Sequence, residues 1–535
     1  MAHLCNISIA LLQLTRPTIE PSMRDRDRHT DVLIVGAGLS GIGVAARLVA
    51  STPDRSFAIL EMRQAIGGTW DQFRYPGIRC DSDVQTLGYG LKPWSDDSVI
   101  TEGGDVRRYI EETADEYGIR EHISFGHKVT TIAWSSMDAQ WTVTAHDTET
   151  EETVVRTASF VVCASGYFDY DEAHVPELPG TLDFKGQIVH PQFWGEEHSF
   201  AGKDVVVVGS GATAITLIPA MAKAAKSVTM LQRSPGYVLS VPSTDPTTKL
   251  LRSVLPDDLV GHIARVRNTG IQLAMFQLAR KHPKAARTIV LNQVRAQLRG
   301  KVDMKHFTPS YDVWDERLCV VPDGDLFRTL RNGEARIVTD HIDTFTETGI
   351  QTQSGEHLDA DLVVLATGFK IKMLGGITVE VDGEQVHQSD KMTYRGIMFS
   401  DIPNFAMIFG YVNVSWTRKV DIAAQWLVRV LHEMDRRGAD TVVATGGEEF
   451  ATDDPFTEMS SGYMQRASGM FPMQGSEAPW RNQSNVLLDT VRLRLRSLDD
   501  GFLRFTSGPP DGADPLAEAG NTGGIVRQVA RLVGL

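Results

Sequence analysis

The feature that most constrains this chain is a repeat. "DVLIVGAGLSGIGVAARLVA", from Asp31, and "DVVVVGSGATAITLIPAM", from Asp204, share one grammar: a continuous apolar run, a glycine-rich turn, then a helix of small residues. Each is followed by a second apolar run, "SFAILEMR" in the first copy and "SVTMLQRS" in the second. An unbroken apolar run is a strand buried on both faces. Strand, turn, helix and strand in that order form the unit of a doubly wound parallel sheet. Two well-separated copies predict an α/β fold with two dinucleotide-binding, Rossmann-like domains.

The glycines say what the turns hold. Gly36, Gly38 and Gly41 fit GxGxxG, and Gly209, Gly211 and Ala214 fit its variant with a final alanine. Glycine there permits a tight turn and a close approach of backbone to a pyrophosphate, which the helix N-terminus then receives. The end of the second strand separates the two copies. Glu61 closes it in the first, and a carboxylate accepts hydrogen bonds from ribose hydroxyls and repels a 2′-phosphate. Arg233 and Ser234 stand there in the second, a cation and a hydroxyl donor suited to a 2′-phosphate. The expected ligands are FAD on the first loop and NADPH on the second.

At 535 residues the chain exceeds one core, since domains run to roughly 100–200 residues. The expected order is an N-terminal extension over 1–30, disordered, and the first part of an FAD-binding domain over 31–170. The first part of an NADP-binding domain over 171–248 and a mainly helical insertion over 249–330 follow. The NADP-binding domain resumes over 331–370, the FAD-binding domain over 371–505, and 506–535 is a tail. The insertion is basic and amphipathic, which leaves peripheral contact with a membrane open. A net charge of −15 argues against nucleic acid. Cys5, Cys80, Cys163 and Cys319 form no CxxC pair, so neither a metal site nor a disulfide reductase is expected. The cysteine usage and the lack of a basic leader segment point to the cytoplasm.

"GGTWDQFRYPGIRCDSD" follows the first unit, and "DFKGQIVHPQFWGEE" joins the two. Gly67, Gly68, Trp70, Tyr75, Pro76, Gly77 and Asp81 in the former, and Phe184, Gly186, His190 and Trp194 in the latter, resemble the fingerprints of Baeyer–Villiger monooxygenases, the class B flavoprotein monooxygenases. Gly195 departs from the pattern, which has Pro or Asp there. "GSGATA", "VTMLQRSP" and "WDERLCVVPDGDLFR" place the resemblance with a mycobacterial branch, from about Asp31 to about Phe505.

The resemblance implies tightly bound FAD, NADPH as reductant, and transfer of one oxygen atom from O2, by way of a flavin C4a-peroxide, to ketones or to sulfur. Flavin N- and S-monooxygenases carry Phe or Tyr where Trp194 stands, so Trp194 favours esters and lactones as products. It also implies that Arg317, in "WDERLC", is the catalytic cation and Asp81 its carboxylate neighbour. An arginine suits that task because it stays protonated. Ser40, Glu61, Thr69, Trp70, Asp71, Gln72, Asp81 and Val129 match flavin contacts of the family. Arg79, Cys80, Asp81, Gly209, Ser210, Gly211, Ala212, Thr213, Ala214, Ile215, Arg233 and Ser234 match NADP contacts. His190 is expected to order the linker rather than to move protons.

Overall fold

The computed structural model describes residues 29–316, 318–411, 413–456, 462–482 and 484–508; the expected extension and most of the tail lie outside them. The first unit is strand β1 (His29–Val35), helix α1 (Leu39–Ser51) and strand β2 (Phe57–Leu60). β1 runs parallel to β2, with Val35 opposite Leu60. A meander of β3 (His127–Ser135), β4 (Gln140–Asp147) and β5 (Thr153–Cys163) follows, and β5 returns parallel to β1 on its other side. β3 to β5 alternate apolar and polar residues, as one-face-buried antiparallel strands do.

The second unit repeats the first: β6 (Asp204–Val208), α2 (Ala212–Met221) and β7 (Ser227–Gln232), again parallel. Three helices interrupt it, α3 (Pro246–Arg252), α4 (Asp257–Lys281) and α5 (Pro283–Leu298). Asp245 caps α3 through the N–H groups of Thr247 and Thr248, which starts the helical region at Pro246. Strand β8 (Leu362–Leu365) then closes against β6. With Gln187–Val189 and Arg336–Thr339, these strands make an all-parallel sheet of five among the described residues.

The chain finally returns to the first sheet with β9 (Thr378–Val381) and β10 (Phe405–Met407), which pair with β3 and β5. That sheet has nine strands among the described residues. Helix α6 (Thr417–Arg437) packs on α1, with Val420 against the bare backbone of Gly43. The short helix α7 (Gly462–Arg466) and α8 (Val486–Arg494) follow, and the strand Leu503–Thr506, antiparallel to Thr441–Ala444, ends the described fold. Trp141 is fully buried, and its indole N–H donates to the Asn404 carbonyl at 3.0 Å, so its large apolar surface enters the core with its polar atom satisfied.

Both passages between the sheets run side by side. Phe168–Ala173 on the way out pairs antiparallel with Phe369–Ile371 on the way back. The architecture is therefore α/β with two dinucleotide-binding domains, the second carrying a helical insertion.

Candidate active site

The two glycine loops are built alike in detail. Gly36 has φ +102°, and a Cβ there would lie 2.8 Å from the Ala164 carbonyl oxygen; Gly209 has φ +144°, and a Cβ would lie 2.4 Å from that of Ala366. Each loop is thus closed by the end of a returning strand, "ASG" in one unit and "ATG" in the other. Both following helices start without a side-chain cap, at Gly38 and at Gly211. Their first N–H groups are left to a ligand, the arrangement that receives a pyrophosphate. Gly41 sits one turn in, where a Cβ would fall 1.8 Å from the Gly36 carbonyl oxygen; its part is helix-to-loop packing.

The loops open on one cleft of about 880 Å³ between the two sheets. On the first side Gly36, Gly38, Ser40, Glu61, Thr69 and Trp70 line it, with Arg79, Cys80, Asp81 and Val129 beyond. Glu61 accepts the Ala37 N–H at 2.6 Å on one oxygen and the Arg63 N–H at 2.8 Å on the other. Burial raises its pKa, and these two N–H groups oppose the rise. The carboxylate is therefore held at the strand end by the loop it serves, with one lone pair per oxygen remaining. Ser40 receives the indole N–H of Trp416 at 2.8 Å, and Trp416 stacks on Tyr167 at 5.3 Å. Asp71 and Gln72 are not among the lining residues. Asp71 is buried beneath the loop, bound by Arg63 and Arg74 and approached by Arg107, and Gln72 donates to the Gln192 carbonyl at 3.0 Å.

On the second side Gly209, Ser210, Gly211, Ala212 and Thr213 line the cleft, with Arg233 and Ser234 at the next strand end. Ala214 and Ile215 turn inward and belong to the core. Glu316 also lines the cleft; burial raises its pKa and the charge of Arg233 opposes this. Arg466, from α7, lines it as well, and its pKa is lowered by burial and then by Arg233. Arg79, on the first side, forms an ion pair with Asp325 of the second unit, so one expected nucleotide contact also ties the two halves together. Arg317 lies outside the described residues.

The linker explains its own rhythm. Phe184 is buried edge-on to Phe345, and its ring covers Gly186, where a Cβ would stand 2.4 Å from the ring. The His190 ring faces the Gly368 carbonyl at 3.3 Å through Nε2 and the Gln192 N–H at 3.2 Å through Nδ1. Nε2–H donation and Nδ1 acceptance satisfy both contacts. Burial pushes its pKa down to about 4, so the ring is neutral at pH 7. Of the four fingerprint residues only His190 lines the cleft; Trp194 packs beside His198 and Phe200.

Gln192 escapes sequence reasoning. It is 1% exposed and joins three segments: its side chain donates to the Asp169 carbonyl at 2.7 Å, its own carbonyl receives Gln72, and its N–H meets His190. No pattern of residue types around position 192 signals contacts that come from 120 residues away. Among the described residues no group of His, Cys, Asp and Glu could hold a metal ion, and no helix is long and apolar enough to cross a membrane.

Residues 93–313 match the flavin-binding monooxygenase-like family model, and residues 34–94 match an NAD(P)-binding Rossmann-like domain. The "Probable FAD-binding monooxygenase AlmA" of Acinetobacter baylyi is 49% identical, over 90% of this chain and 96% of that protein. The FAD-containing monooxygenase EthA of Mycobacterium tuberculosis is 44% identical, over 90% of this chain and 98% of that protein. Among solved structures, oxidized steroid monooxygenase bound to NADP superposes with TM-score 0.70 at 22% identity, covering 90% of this chain and all of that one. Closed cyclohexanone monooxygenase superposes with TM-score 0.63 at 20% identity, covering 78% of this chain and 87% of that one; both show the shared fold. With nearly the whole chain aligned at close to half its residues identical, the protein belongs to the flavin-binding monooxygenase family.

Proposed function

We propose that the protein is an NADPH- and O2-dependent flavoprotein monooxygenase that inserts one oxygen atom into ketones to give esters or lactones, and that it also oxygenates sulfides or thioamides. One observation supports this above the rest: two glycine loops of the same construction, with opposite charge at their ribose ends, face one cleft. Glu61 on one side fits a ribose without a 2′-phosphate, and Arg233 with Ser234 on the other fits a ribose bearing one. FAD and NADPH are the pair that matches. Held by these two loops, a flavin and a nicotinamide would supply two-electron reduction and the activation of oxygen.

The chain's own part is binding, orientation and electrostatics. The uncapped helix ends at Gly38 and Gly211 would hold the two pyrophosphates. Tyr167, Trp416 and Phe409 form an aromatic wall beside Ser40, which excludes water and strengthens every charge interaction inside. We assign Arg317 as the cation that stabilises the oxyanion formed when a carbonyl is attacked, with Asp81, on the cleft wall, as its carboxylate. His190 holds the linker and moves no proton.

The test is product analysis. Purified enzyme given FAD, NADPH and a panel of linear ketones, cyclic ketones and sulfides yields esters or lactones by gas chromatography. Sulfoxides alone, with no ester from any ketone, would reassign it as a sulfur or nitrogen monooxygenase. NADPH loss by itself decides nothing, since uncoupled peroxide formation also consumes it.

A further inference from the structure

Helix α4 carries an apolar face that nothing among the described residues covers. Its inner face is fixed in place. Arg265 forms a buried ion pair with Asp421 of α6, Gln272 donates to the Thr86 hydroxyl at 3.1 Å, and a Cβ on Gly261 would lie 2.7 Å from that of Pro93. The outer face is different: Leu259, Ile263, Val266, Ile271, Met275 and Leu278 are all exposed, Val266 at 71%. Gly270 and Ala274 lie exposed among them. At 3.6 residues per turn, Leu259, Ile263, Val266, Gly270 and Ala274 fall within about 80° of one another, and Leu278 continues their row one turn on. None of these residues lines the cleft.

Charge on this helix is confined to its two ends. Between Asp258 and Arg280 only Arg265 and Arg267 are charged, and both are engaged within the chain, the second by Asp245. Asp257 and Asp258 open the helix, and Arg280 and Lys281 close it. Asp257 pairs at the surface with Arg252, and Arg280 with Asp315; no such pair engages Asp258 or Lys281 among the described residues. Gly270, near the centre, has no purpose inside the chain. A glycine weakens a helix interior, and a Cβ there would meet nothing within 4 Å. Bare backbone at that place lets a second helix approach closely.

The charges select the occupant. A contiguous exposed apolar face marks an interaction site, and a lipid surface takes a helix whose apolar side is flanked by cations. Here two carboxylates stand at one end, and the whole chain carries −15, which an anionic leaflet repels. A helix acidic at one end, basic at the other and uncharged between is complementary to a copy of itself run the other way. Laid antiparallel about a two-fold axis near mid-helix, two copies bring Leu259 opposite Leu278 and Asp258 close to Lys281, each contact made twice.

We propose that the outer face of α4 is a self-association surface, through which two copies of this chain pair by antiparallel α4 helices. The surface lies outside the cleft and is independent of the oxygenation reading.

The test is sedimentation velocity of the full-length holoenzyme across a wide range of concentration, where wild type is expected to pass from monomer to dimer. Val266→Asp, a change at an exposed position, is expected to raise the dissociation constant at least tenfold with flavin absorbance and Tm unchanged. Asp258→Lys is expected to raise it several-fold, and Asp258→Lys combined with Lys281→Asp to restore it, a rescue that general damage to the fold would not give. The native cysteines among the described residues are buried, so added surface thiols report the pairing. Leu259→Cys and Leu278→Cys chains, mixed under mild oxidation, are expected to cross-link to each other rather than each to itself; the reverse preference would overturn the antiparallel arrangement. A dimer that Val266→Asp leaves intact would overturn the surface. So would a chain that stays monomeric throughout, and its retention by phosphatidylglycerol vesicles, lost in Val266→Asp, would give the face to a bilayer instead.

Discussion

Single residues divide the labour between two nearly identical loops. Arg233 is the one that distinguishes NADPH from NADH on this reading, and a charge-assisted hydrogen bond contributes about 1.5–3 kcal/mol. Arg233→Ala is therefore expected to shrink the NADPH over NADH ratio in kcat/KM by roughly one to two orders of magnitude, measured by steady-state NAD(P)H oxidation with substrate. An unchanged ratio moves the task to another group, with Arg466 the first to test. Arg317→Ala is expected to keep its flavin and still be reduced by NADPH in anaerobic stopped flow, yet to form no ester; full ester yield would refute the assignment. The places of Glu61 and Arg233 on the cleft wall were legible in the sequence because each is a lone charge at the end of an apolar strand. The places of Asp71 and Gln72 were not. Their type fits ligand contact, but Arg63, Arg74 and Arg107 draw Asp71 under the loop, and only the assembled fold brings those three together.

At the scale of elements the linker repays attention. His190 is neutral and buried, so its folded pKa of about 4 lies below the ordinary value of 6.5. The unfolded chain then binds more protons between those values, and stability falls as pH drops from about 6.5 toward 4, while it is fully present above that window. Differential scanning fluorimetry of wild type and His190→Asn across pH 4 to 8 is expected to show a gap in Tm of a few degrees at pH 7.5 that narrows below pH 6. Parallel curves would show that protonation of this ring is not felt. The strands, glycine turns and helices of both units were readable from apolar runs and punctuation. The passages between sheets were readable only as small-residue strand ends, because their pairing joins Phe168–Ala173 to a strand far along the chain.

For the whole molecule, the cleft exists only while its two walls face each other, and the Arg79–Asp325 ion pair joins the two units that carry them. Arg79→Ala is expected to leave flavin retention and thermal stability nearly unchanged but to raise the KM for NADPH several-fold, because the second wall is less well held. Loss of flavin instead would place Arg79 in the first site's architecture alone. The paired passages carry a further consequence. Since the outgoing and returning strands lie against each other, about two hundred residues of the second unit leave and re-enter the first at one point, and loop-closure cost grows only slowly with such length. The second unit is thus an insertion whose two ends share one stem, and Phe73 and Tyr75 of the first unit are buried in its core besides. Both ends of the insertion are therefore fixed by one piece of structure, and a change there acts on the two at once.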